Sequence, residues 1–269
     1  DRNEVGLMAT GIVNPYAVVP GGGAYRNAVL ADNPLVLLML DEPYGDDVAV
    51  NQGSLGSSHN GIYNGTLSTD SNYRNSGTIF GLECAGRRTG SSTTVGFYDG
   101  SVTFPPTGSS AIWPNASTSA ATFSFEYLYR RQTNVPASTW EYTMFNWYPF
   151  YLWSYGNNQH AFTLRSSNGT AERIGYGTAS NLPRYTDHHV VWTFGAERCV
   201  TYINGAYQRA YTWPTSPAFT GVQPGAGAVY IGNLGNGSTK HFRGQLAGLA
   251  VHDNELSQAQ VTAHYNALL

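Results

Sequence analysis

The stretch FSFEYLYR, Phe123 to Arg130, sets aromatic rings on alternate positions with Ser124, Glu126 and Arg130 among the residues between them. A period of two is the mark of an extended strand whose two faces differ. Short runs of the same kind recur in GIYNGTL, TIFGLECA, TTVGFYD, SVTF, YTMFNWY, FYLWSYG, HAFTLRS, RIGYG, HHVVWTF, CVTYING, AVYIGNL and HFRGQLAGLAVHD. Between them stand Asn64-Gly65, Asn168-Gly169, Asn204-Gly205 and Asn236-Gly237, pairs tolerant of the positive φ that tight hairpins require. Many short strands joined this way, with almost no helix between them, predict an all-β chain of antiparallel sheets stacked as a sandwich or jelly roll. In HHVVWTF, His188 to Phe194, Val190, Trp192 and Phe194 alternate with Val191 and Thr193, which predicts one core face and one partly buried face.

Helical spacing is confined to the ends. Tyr25 to Ala31 fits a short helix that must stop before Asn33-Pro34, because the residue preceding proline avoids the helical region. PLVLLMLDE, starting at Pro34, then reads as a buried strand. Near the C-terminus, Ser257 and Gln260 form a capping-box pattern ahead of Val261, Tyr265 and Leu268, predicting a short helix that lays this stripe on the sandwich. Residues 1–23 show no sustained period and end in Pro20-Gly21-Gly22-Gly23. They predict an extended N-terminal arm and a joint, the arm either docking on a neighbouring chain or wrapping its own domain; residues 24–269 form the domain proper.

Composition narrows the function classes. Charged residues are 12% of the 269, about half the usual share. The net charge is -3, and only Arg87-Arg88 and Arg130-Arg131 are adjacent basic pairs, which argues against a nucleic-acid partner. The longest aliphatic run, Leu35 to Leu40, falls far short of the roughly 20 residues a membrane span needs. Cys84 and Cys199 lack metal-site spacing and read as buried free thiols, with a single bridge as the alternative. With Asp1 first and no signal-type apolar segment, any targeting peptide is expected to be absent or already removed.

Six collinear stretches carry a family likeness: AVLADNPLVLLMLDE (Ala28 to Glu42), NQGSLGSSHNGIYNG (Asn51 to Gly65), ATFSFEYLYR (Ala121 to Arg130), DHHVVWTF (Asp187 to Phe194), VTYINGA (Val200 to Ala206) and FRGQLAGLAVHDNELSQAQVTAHYNA (Phe242 to Ala267). In this order they resemble the laminin-G-like, concanavalin A-like jelly-roll domains found in bacteriophage minor tail and other virion proteins and in secreted bacterial proteins. The resemblance implies one such domain from about Tyr25 to Leu269. This fold hosts many unrelated activities, so function must be argued from sites.

Laminarinase-type relatives carry catalytic carboxylates on one strand as E-x-D-x-x-E, a spacing that points alternate residues into one cleft. No such run occurs here, and Glu126 and Glu141 read as isolated strand carboxylates; a pair assembled from different strands is the alternative. With no G-x-S-x-G elbow, no nucleophilic cysteine context and no phosphate loop, no catalytic residue is assigned. His188 and His189 are strand neighbours that face opposite sides and cannot converge on one metal. Calcium, which laminin-G-like domains often hold on edge loops, has donors in Asp46, Asp47 and Asp253-Asn254-Glu255. Neither stretch has ordered ligand spacing, and Asn51 stands where related domains commonly carry aspartate. The expectation is no cofactor, with calcium as the alternative and no metal residue named.

The most conspicuous feature is WEYTMFNWYPFYLWSYGNN, Trp140 to Asn158. Trp147, Tyr151, Trp153 and Tyr155 share odd parity, although Pro149 is expected to split the run into two strands, across which parity is not preserved. Exposed, these rings would stack on sugars or meet a partner; buried, they would fill the core or a subunit interface. The leading expectation is a non-enzymatic bacteriophage virion protein, a minor tail or capsid-decoration subunit in multi-copy or homo-oligomeric assembly with other virion subunits, binding host cell-surface glycan through these aromatics. The alternatives are a secreted carbohydrate-binding module or glycan-degrading enzyme of the same fold, and a purely structural subunit.

Overall fold

The computed structural model describes residues 22–42, 48–64, 77–84, 101–104, 122–131, 140–147, 150–155, 160–165, 171–174, 182–183, 185–195, 197–212, 229–231 and 244–269. Helix α1 (Gly22–Ala31) leads into β1 (Val36–Leu38), β2 (Val48–Ala49), β3 (Gly61–Asn64) and the hairpin of β4 (Gly77–Ile79) and β5 (Leu82–Cys84). Next come β6 (Ser101–Phe104), β7 (Phe123–Arg131), β8 (Trp140–Trp147), β9 (Phe150–Tyr155), β10 (His160–Arg165) and β11 (Ala171–Ile174). The chain closes with β12 (His188–Phe194), β13 (Arg198–Ile203), β14 (Ala206–Thr212), β15 (Val229–Ile231), β16 (Gly244–His252) and α2 (Gln258–Asn266).

These strands make a six-stranded sheet in the order β1-β16-β7-β12-β13-β14, an eight-stranded sheet in the order β11-β10-β9-β8-β15-β6-β3-β2, and the separate β4-β5 pair. The neighbours pair antiparallel, as the alternating pattern predicts. Val36, Leu38, Phe123, Phe125, Tyr127, Val190, Trp192 and Phe194 from the six-stranded sheet meet Ala49, Phe162 and Ile231 from the eight-stranded one in the main core. This is the stacked jelly-roll sandwich expected from the strand pattern.

The back of the six-stranded sheet is covered as well. Leu37, Leu128, Ala247 and Ala250 pack there with Tyr25 and Val29 of α1, Ile79 and Leu82 of the small hairpin, and Leu268. Val191, Val200 and Tyr202 pack with Leu256 and Val261 beside them. Consequently all seven residues of β12 are buried, where the alternation predicted only one full core face. The difference comes from α1 and α2, which remove water from the second face.

Local chemistry accounts for the joints. Asn204 (φ 51) and Gly205 (φ 73) adopt the left-handed turn that β13 and β14 require, and Asn204 exchanges hydrogen bonds with the His189 backbone. Ser257 and Gln260 form the predicted capping box of α2. Asn33 (φ 50) ends α1 ahead of Pro34, as expected. Helix α1 starts earlier than predicted, however: Gly22 and Gly23, read from the sequence as part of a joint, lie in its first turn. Residues 1–21, Gly65 and the turns Asn168-Gly169 and Asn236-Gly237 lie outside the described residues. Among the described residues no helix is long and apolar enough to cross a membrane.

Candidate functional site

Two groups of chemistry-bearing residues emerge, one on the eight-stranded sheet and one beneath the helices. In the first, β8 and β9 form the aromatic hairpin, with Trp147 ending β8 and Tyr151, Trp153 and Tyr155 at alternate positions of β9. Trp147 pairs with Phe150 and Asn146 with Tyr151. Parity therefore changes across the turn, and Trp147 falls out of step with the other three. Across the next interface, Tyr151 stands opposite Thr163 and Trp153 opposite Ala161, while Leu152 stands opposite Phe162. Phe162 is fully buried and lies edge-on to Trp192 and Phe194 of the facing sheet, at centroid separations of 5.0 Å. Tyr151 and Trp153 thus hold register positions that alternate with the core-facing one. The side chains of Trp147, Tyr151, Trp153 and Tyr155 lie outside what the structure describes.

The second group was hidden from the sequence. Phe123, Phe125, Tyr127 and Tyr129 of β7 point into the sandwich, so Glu126 faces the helices. There it is fully buried and engaged on both oxygens. The Tyr25 hydroxyl and His189 Nε2 donate to Glu126 Oε1, each at 2.8 Å. His264 Nδ1 donates to Oε2 at 2.8 Å, and the opposite nitrogen of that ring, Nε2, reaches Asp32 Oδ2 at 2.9 Å. His252 Nε2 lies 3.8 Å from Glu126 Oε2. Tyr25 reaches the carboxylate because β16 shifts register between Ala247 and Ala250. At that bulge Gly248 (φ 54) leaves room for the Tyr25 ring and accepts its hydroxyl at 3.1 Å.

Electrostatics follow the geometry. Burial by itself would raise the Glu126 carboxyl, but the charges and hydrogen bonds of His264 and His189 hold it well below the usual carboxylate range. Burial depresses His264 too, yet Glu126 and Asp32 outweigh that effect and raise it above the ordinary histidine range. Burial lowers His252, and the neighbouring His264 charge adds to the lowering against the pull of Glu126. Tyr25 is pushed well up, first by burial and then by Glu126, so it stays a hydroxyl donor. The cluster is a sealed clasp between both helices and the sheet.

The remaining sequence candidates fall into place individually. His188 is buried on the sandwich side, its Nε2 donating to the Pro183 carbonyl at 3.1 Å, opposite in direction to His189 as expected. Asn51 is buried; its Oδ1 accepts from the Leu37 and Gly53 amides and its Nδ2 donates to the Gly56 carbonyl. That amide is committed to holding its own loop. Asp253 and Glu255 are exposed, and Asp46 and Asp47 lie outside the described residues. Among the described residues no group of three or more His, Cys, Asp or Glu side chains is placed to hold a metal. Cys199 is a free, buried thiol, pushed up by burial; the Cys84 side chain and that of Glu141 lie outside what the structure describes.

Comparison with known proteins adds a family and a fold. Residues 98–262 match a family model described as the concanavalin A-like lectin/glucanases superfamily. A search of curated proteins found no match. Among solved structures, the chain is similar to the botulinum neurotoxin serotype D binding domain (15% identity, TM-score 0.57, covering 89% of this chain and 52% of that one). It is similar also to the binding domain of botulinum neurotoxin DC in complex with rat synaptotagmin II (16%, TM-score 0.59, 88% and 52%). A third is the serotype D ligand-binding domain in complex with N-acetylneuraminic acid (14%, TM-score 0.56, 89% and 52%). The chain spans about half the length of these structures, and at such identity the likeness establishes the fold alone.

Proposed function

Because the chain belongs to the concanavalin A-like lectin/glucanases superfamily, we propose that it is a non-enzymatic recognition domain that attaches to glycans through the aromatic hairpin β8–β9. The observation that supports this reading is the register of that hairpin: Tyr151 and Trp153 stand opposite Thr163 and Ala161, positions that alternate with the one opposite buried Phe162. An eight-stranded antiparallel sheet that turned such rings outward would offer a flat apolar platform with polar handles, suited to the faces of pyranose rings. Receptor and sialic-acid complexes of structurally similar binding domains support the same use of the fold.

The non-catalytic part of the reading is supported by Glu126. A glycosidase needs two carboxylates flanking an open cleft, whereas this one has no exposure and is held by Tyr25, His189 and His264. The setting we propose is a bacteriophage virion, with the chain a minor tail or decoration subunit serving adhesion or assembly; its support is the resemblance of the six collinear stretches. Immunogold labelling of intact particles tests that setting.

The binding test is a glycan panel probed with the purified chain. A defined set of sugars should be retained, and Trp153→Ala or Tyr151→Ala should weaken retention about tenfold without altering the unfolding midpoint. Undiminished binding in both variants would place the glycan elsewhere. No binding to any glycan would reject the reading itself.

A further inference from the structure

His264 is where α1, α2 and the six-stranded sheet meet. Its two ring nitrogens face carboxylate oxygens on opposite sides, Glu126 Oε2 at 2.8 Å and Asp32 Oδ2 at 2.9 Å. A neutral imidazole has one donor and one acceptor nitrogen, so one of these contacts would set a lone pair against a carboxylate. With both protons present, both contacts are charge-assisted hydrogen bonds. With Glu126 and Asp32 both ionised, the geometry calls for an imidazolium.

The groups facing this ring come from every layer around it. Asp32 follows α1, Glu126 belongs to β7, and His252 of β16 stacks on the ring at a centroid separation of 6.1 Å. Behind Glu126 stand Tyr25 of α1 and His189 of β12. Two anions therefore bracket one cation, with His252 Nε2 standing 3.8 Å from Glu126 Oε2 beside it.

We propose that this clasp is a proton-operated latch: loss of the second proton from His264 undocks α2 from the six-stranded sheet and frees the Asp32 end of α1. Helix α2 spans nine residues, too short to persist by itself in water. Its buried residues are Val261 and His264, with Leu268 just beyond it. Gln258 and Thr262 add hydrogen bonds to the Gly205 carbonyl at its other end. A neutral His264 leaves Glu126 and Asp32 with no cation between them. The raised position of His264 extends the closed state of the latch above the ordinary histidine range. Stability from a raised group is complete below the ordinary histidine range and is lost as pH climbs through the raised value, so the latch opens on the alkaline side.

The test measures amide-exchange protection of α2 and the NMR titration of the His264 ring from pH 5 to 10 on the full chain. Protection of α2 should fall with the midpoint of the ring titration, while β12 amides stay protected. Asp32→Asn removes one of the two anions at a partly exposed position and should move both midpoints down by about one pH unit. Flat α2 protection through the His264 titration, a midpoint unmoved in Asp32→Asn, or β12 opening in step with α2 would each overturn the latch.

Discussion

Gly248 shows how one missing methyl group organises the interior. A Cβ there would stand 2.7 Å from Tyr25 Cε1 and 3.2 Å from Leu128 Cδ1, on a backbone already at φ 54. Alanine would have to adopt a left-handed conformation and push aside a fully buried ring that donates to Glu126. Gly56 separates the two costs, since its φ is 62 but nothing lies within 4 Å of its would-be Cβ. Backbone strain at such a position costs about 1–2 kcal/mol. Gly56→Ala should therefore lose about that much in urea unfolding, and Gly248→Ala about 2 kcal/mol more through overpacking. Equal losses in the two variants would mean that the Tyr25 ring yields freely and that the bulge is not shaped around it.

Helix α2 illustrates which elements a sequence discloses. Its start is a local affair: the Ser257 hydroxyl accepts from the Gln260 amide, and the Gln260 side chain accepts from the Ser257 amide at 2.9 Å. Ser257→Ala should cost about 1 kcal/mol, read as a lower urea midpoint with an unchanged slope, and an unchanged midpoint would mean that tertiary docking alone sets the helix start. Interactions of this reach, like the Asn204-Gly205 turn and the split at Pro149, are visible in a few consecutive residues. What α2 docks upon is not. Glu126 reads as a solitary carboxylate because its partners Tyr25, His189 and His264 lie 101, 63 and 138 residues away. The period-two pattern of β7 does show that Glu126 faces away from Phe125 and Tyr127, but a buried back face and a wet one look alike until the covering helices are placed. The parity of Trp147 against Tyr151 likewise depends on the turn between them, which strand periodicity cannot count across.

Across the whole molecule, the clasp makes stability a function of pH with a sign that can be worked out. Glu126 and His252 are both lowered in the folded state. A lowered group contributes stability that is present above its unfolded value and is lost as pH falls through the folded one. Acidification should therefore weaken the fold first through the ordinary histidine range, as the unfolded chain protonates His252 and the likewise lowered His188 while the native state resists. A second loss follows below the ordinary carboxylate range, as Glu126 must take a proton inside a sealed cluster. His264 acts in the opposite sense: with its raised position, its contribution grows as pH falls through the ordinary histidine range, partly offsetting the first loss, and is complete below it. Urea midpoints collected from pH 3 to 7 should fall in these two stages. Glu126→Gln keeps the shape but leaves His264 and His189 without their central anion, so it should lose about 3–5 kcal/mol at neutral pH and lose the lower of the two acid stages. A variant that kept both stages would show that the lower stage comes from other carboxylates, and that Glu126 contributes shape to the clasp without contributing that charge dependence.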